Sequence, residues 1–113
     1  MHRARLSFAT IIPVLLLCSL AEAATIRGYV IDSHGHPAPG ARVTAWHSVP
    51  TDQNPPQRTL LLGRTFADAH GYFTLSVDSR LTNMLTAKLD HESGAAAVSF
   101  SREVRIRLHA IRP

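Results

Sequence analysis

Ile26-Arg27-Gly28-Tyr29-Val30-Ile31-Asp32 runs through Gly35 and Pro37 into Pro39-Gly40-Ala41-Arg42-Val43-Thr44-Ala45, and further on comes Ala67-Asp68-Ala69-His70-Gly71-Tyr72-Phe73-Thr74-Leu75. In each run one set of alternate residues is small or apolar, with a period of two, which is the signature of a half-buried strand. The segments between them are turn chemistry. Glycine reaches positive φ without steric cost, proline presets φ and removes a donor, and Asp accepts hydrogen bonds from turn amides. The reading is therefore strand, Gly/Pro turn, strand, and later an Asp/Gly turn leading into another strand.

The same pattern extends along the rest of the chain. Strands are expected at about Thr25–Asp32, Ala41–Ser48, Thr59–Ala67, Tyr72–Val77, Met84–Asp90, Ala95–Phe100 and Glu103–His109. Val49 to Arg58 holds three prolines and is expected to be a long exposed loop, since proline cannot donate to a ladder. Leu60-Leu61-Leu62 opens the third strand on an apolar note, and His91-Glu92-Ser93-Gly94 reads as a turn. Seven short strands at this spacing predict an all-β, seven-stranded antiparallel sandwich. Its core is expected to hold Val30, Val43, Phe73, Leu75 and Ile106, while Arg42, Thr44, Arg105 and Arg107 point to solvent.

These motifs resemble the carboxypeptidase regulatory-like domains. The pieces that carry the resemblance are Ile26-x-Gly28-x-Val30-x-Asp32, Gly35-x-Pro37-x-x-Gly40-Ala41-x-Val43 and Thr65-x-x-Asp68-x-x-Gly71-x-Phe73-x-Leu75. The resemblance implies a prealbumin-like (transthyretin-like) sandwich and a non-catalytic accessory role in an exported or surface protein. Trp46-His47 is also similar to a feature of the intradiol ring-cleaving dioxygenases. Their iron is held by two Tyr and a late His-x-His pair, and here only lone His91 and His109 follow Gly71, so no catalysis carries over. The Tyr-Arg-Gly-Ser ending of hydroxyisourate hydrolases has no counterpart in Ile111-Arg112-Pro113.

Residues 1–23 read as a cleavable signal peptide, with a basic start at Arg3 and Arg5, an apolar run from Phe8 to Leu20, and Ala21-Glu22-Ala23 as the processing site. Residues 24–113 then form one domain, periplasmic or secreted, with no stable membrane span after signal removal. The single cysteine, Cys18, falls within the signal, so neither a disulfide nor thiol chemistry is available to the domain. Leu17 stands where lipidation of Cys18 would need a small residue. The formal charge of the whole chain is +4. That is too modest, with too few aromatics and no cationic run, to suggest nucleic acid, but it suits anionic surfaces or polysaccharides.

No Ser/His/Asp grouping, phosphate loop or cofactor motif is present, and no cofactor is expected. Trp46 lies opposite Val43 and Ala45 on strict alternation. It either packs beneath the Pro-rich segment at Pro50, Pro55 and Pro56 or, with Tyr29 and Arg42 near it, stacks on a sugar ring. His34, His36 and His70 sit in turns, where solvated imidazoles are ordinary and a shared metal is the alternative. Asp32 and Asp68 are expected to serve their turns. The sequence thus points to an exported, non-catalytic module with a protein or polysaccharide partner, the alternatives being a carbohydrate-binding module using Trp46 or a metal-binding protein using the turn histidines.

Overall fold

The computed structural model describes residues 23–54 and 56–111. The signal-peptide reading falls on residues outside these, except that Ala23 opens the first strand. Eight strands make up the described chain: β1 (Ala23–Ile31), β2 (Arg42–Pro50), β3 (Gln57–Phe66), β4 (Tyr72–Asp78), β5 (Met84–Leu89), β6 (Glu92–Ala97), β7 (Val104–Arg107) and β8 (His109–Ala110). No helix occurs among the described residues. One sheet has the order β4-β1-β7 and the other β3-β2-β5-β6-β8. They stack as two layers of a sandwich-like all-β architecture, with β3 lying over β4 and β6 over β7.

The alternation in the sequence accounts for the core. Ile26, Val30, Val43, Ala45, Leu85 and Ile106 are fully enclosed, and Phe73, Leu75, Val77 and Val104 nearly so. All five expected core residues are among them. Burying a Val, Leu, Ile or Phe side chain contributes about 1.5–3 kcal/mol, so these residues are the main force that closes the two layers.

Several expectations change. The assembly is not wholly antiparallel, because β7 pairs with β1 in parallel, Gly28 opposite Val104 and Val30 opposite Ile106. Seven strands become eight because the expected Glu103–His109 strand divides. Its alternation holds, with Val104, Ile106 and Leu108 all buried. However, the Leu108 amide donates to the Ile31 carbonyl at 2.9 Å, and the next two residues cross to the other sheet to pair with β6.

The Val49–Arg58 segment is less of a loop than its prolines suggest. Val49 pairs with Arg58 and Pro50 with Gln57, and the Thr51 amide donates to the Pro56 carbonyl at 2.7 Å. Proline is tolerated because β5 pairs with β2 only from Arg42 to Trp46, which leaves one side of Pro50 without a neighbouring strand. Asn83 takes over as a partner here, accepting from the Ser48 amide at 2.8 Å and donating to the Ser48 carbonyl at 2.9 Å. The hairpin therefore overhangs the sandwich. Leu60 and Leu61 are exposed, and of the three leucines only Leu62 packs on the core, next to a bulge between Ala45 and Trp46.

Glu92, Ser93 and Gly94 belong to a strand and not to a turn. Leu89 pairs with Glu92, so the turn consists of Asp90 and His91 alone. It is this tight because Asp90 adopts φ 53°, a conformation that Asp tolerates better than most residues.

Candidate functional site

Two turns share one construction. In Asp32-Ser33-His34-Gly35-His36, Asp32 Oδ1 accepts from the His34 and His36 amides at 2.9 Å each. In Asp68-Ala69-His70-Gly71-Tyr72, Asp68 Oδ1 accepts from the His70 amide at 2.8 Å and the Tyr72 amide at 2.9 Å. In both, the glycine amide donates to the Asp carbonyl at 3.0 Å, and the glycine takes φ near +85°, 86° at Gly35 and 85° at Gly71. The amides hold both carboxyls below the ordinary value of 3.8, chiefly those of His36 at Asp32 and of His70 at Asp68. These acids are occupied in shaping backbone.

The two turns lie together, since the Val30 amide donates to the Gly71 carbonyl and the Ala38 amide to the Val30 carbonyl. No group of three or more His, Cys, Asp or Glu suited to a metal occurs among the described residues.

Tyr29 and Trp46 are on different sheets. Tyr29 pairs with Tyr72 in the small sheet, the two rings 5.9 Å apart and tilted by 60°. It cannot share a ligand surface with Trp46. Trp46 and Arg42, by contrast, line the same groove on the outer face of the large sheet.

That groove has a volume of about 540 Å³, within the usual range for small-molecule sites. Its positions follow from register. Thr44 lies between Arg64 on β3 and Thr86 on β5, and Thr86 is next to Ala95 on β6. One step along, Arg42 lies beside Lys88, which pairs with Ser93. At the other end, Trp46 Nε1 donates to Thr86 Oγ1 at 2.8 Å. Because Thr86 is level with Thr44, the indole leans away from the proline hairpin toward the middle of the sheet. The floor is low where Gly94 and Ala95 supply almost no side chain. Thr44 points outward as alternation requires, yet only 5% of it is exposed, because longer side chains surround it.

The chain matches no model of a known protein family, and no curated protein is significantly similar to it.

The charges are what set this groove apart. Arg42, Arg64 and Lys88 line it, and no acid does. The only ion pair among the described residues is Arg80 with Asp78 at 3.3 Å. Arg42 and Lys88 occupy directly opposed positions, where Cβ atoms are about 4.5–5.5 Å apart and like charges are destabilising. Arg64 is diagonal to Arg42, about 7–8 Å away. Every acid among the described residues lies in a turn or at a strand end: Asp32, Asp52, Asp68, Asp78, Asp90, Glu92 and Glu103. Several of them are engaged there, Glu92 Oε1 accepting from the Ser33 amide at 2.9 Å. The sheet faces are left to the cations.

Sequence reading identified Trp46 and Arg42 but not Arg64, Lys88, Thr86 or Ser93. Alternation turns Thr86 and Lys88 outward, whereas Ser93 falls in a stretch that reads as a turn. Alternation does not show that β5 lies beside β2, because β3 and β4 intervene in the chain.

Proposed function

We propose that this chain is a non-catalytic binding module, a prealbumin-like sandwich of the carboxypeptidase regulatory-like kind, exported to the cell envelope or beyond, and that it works by holding an anionic partner in the groove of its large sheet. The observation that carries this reading is the opposition of Arg42 and Lys88, with Arg64 beside them and no acid lining the groove. Such a pair costs stability in the free protein and is relieved when an anion lies between the two charges. The engagement of Asp32 and Asp68 by backbone amides supports a structural role for the residues that would otherwise be candidates for acid–base work.

The one tryptophan makes the test direct. Titration of the purified domain with anionic partners is expected to shift Trp46 emission, and the Arg42→Gln/Lys88→Gln variant, with an unchanged circular dichroism spectrum, is expected to lose that shift. Turnover of a substrate that disappears on substitution of His34 or His70 would refute the reading, as would emission indifferent to every anion offered.

A further inference from the structure

We infer that the ligand of this groove is a polysaccharide bearing acidic groups on its rings, an inference that rests on the groove being the binding face. Three features select this chemistry. The first is the charge arrangement: Arg42 and Lys88 are placed to share one carboxylate or sulfate, and Arg64, a diagonal step away, can reach the next group along a chain. The second is the rest of the lining. Thr86 and Ser93 supply hydroxyls, and Trp46, tied at its Nε1 to Thr86, supplies an aromatic ring at one end. Hydroxyls with an aromatic ring suit a ligand that is rich in hydroxyls on its edges and has C–H surfaces on its faces.

The third feature is the position of the groove on the sheet. It spans β3 to β6, three strand spacings or about 14 Å, and its centre lies over β2 and β5, each hydrogen-bonded on both sides. An acidic peptide is normally captured by adding a strand to an open edge, where main-chain groups are free. The middle of this sheet offers none. The open edges of the same sheet are β3 and the part of β6 beyond Ser93, which β8 leaves unpaired, and the cations point away from both ladders, onto the face. The site is therefore open to an extended chain laid across the strands, held by side chains alone.

The experiment uses polygalacturonate as the carboxylated polysaccharide, dextran as a neutral one, poly-L-glutamate as a carboxylated polymer without sugar rings, and inorganic polyphosphate. Binding is followed by calorimetry and by Trp46 emission. Polygalacturonate is expected to bind with an emission shift, and dextran not to bind. Poly-L-glutamate and polyphosphate are expected to bind at least about tenfold more weakly, without the shift that ring stacking produces. Two variants of equal charge change separate the groove from general attraction. Arg42→Gln/Lys88→Gln is expected to weaken polygalacturonate binding by at least about tenfold, while Arg27→Gln/Arg105→Gln, on the other sheet, leaves it within about twofold.

Equal loss in both variants, or equal binding of dextran, overturns the inference. If poly-L-glutamate or polyphosphate shifts Trp46 as well as polygalacturonate does, the saccharide is wrong and the groove stands. If none of the polymers moves Trp46, both readings fall.

Discussion

Gly28 gives the sharpest test of the small sheet. It faces the core between Ile26 and Val30 and pairs in parallel with Val104. A Cβ added there would overlap the Val104 carbonyl oxygen and fall 2.8 and 2.9 Å from Cζ and Cε2 of Phe73. A ring can turn aside, but a strand carbonyl cannot without giving up the ladder. Overpacking of this kind costs about 1–3 kcal/mol, and each ladder hydrogen bond lost adds about 1 kcal/mol. Alanine restricts the unfolded chain and returns about 0.4–1 kcal/mol. Gly28→Ala is therefore expected to destabilise by about 1–4 kcal/mol, which for a domain of this size lowers Tm by about 4–30 °C. Thermal unfolding followed by circular dichroism measures it. Adding Phe73→Leu should recover little, because the carbonyl and not the ring is the fixed obstacle. Gly35→Ala is the contrast: nothing lies within 4 Å of the added atom, and only its φ of +86° is at stake, about 1–2 kcal/mol. A Gly28→Ala protein melting within about 2 °C of the parent would mean that β7 does not lie against β1.

Other outcomes follow from contacts already described. The carboxyls of Asp32, Asp68 and Asp78 titrate below the ordinary 3.8, the last chiefly through the Arg80 side chain. Their contribution to stability is thus complete above that value and lost as pH falls through the lower folded values. Replacing all three with Asn should flatten the acid limb of a urea-midpoint against pH profile; an unchanged limb would contradict this. Thr86→Val leaves the half-buried indole N–H without its acceptor and should cost about 1 kcal/mol in urea unfolding, so a neutral result would remove the Trp46 anchor. Leu61 is 44% exposed on the open edge strand β3. Leu61→Lys should change stability by less than about 0.5 kcal/mol in urea unfolding, and a larger loss would mean that Leu61 packs on the core.

Residue alternation made the core legible in advance. Ile26, Val30, Val43, Phe73, Leu75 and Ile106 are inward because period two, once begun beside a Gly/Pro or Asp/Gly turn, leaves no other choice. What alternation does not carry is which strands are neighbours. The parallel meeting of Gly28 with Val104 joins the first strand to the seventh, and no local pattern encodes that pairing. The overhanging hairpin was hidden for a different reason. Pro50 and Pro56 read as ladder breakers, and their tolerance depends on β5 stopping at Trp46 and on Asn83 serving Ser48 from a distance. In the groove, Trp46 and Arg42 stood out by residue type and position, whereas Lys88 acquires meaning only once β5 is known to lie beside β2.

The placement of β1 also has a kinetic consequence. It is the middle strand of its sheet, yet one flank comes from β4 and the other from Val104–Arg107, far along the chain. Until those late residues arrive, Ile26 and Val30 have only half a shelter, and loop-closure entropy must be met before the last pairing repays it. Such a chain should fold on the millisecond-to-second scale, slowly for its length. A polypeptide cut short before Val104 should remain a sticky, incomplete sheet.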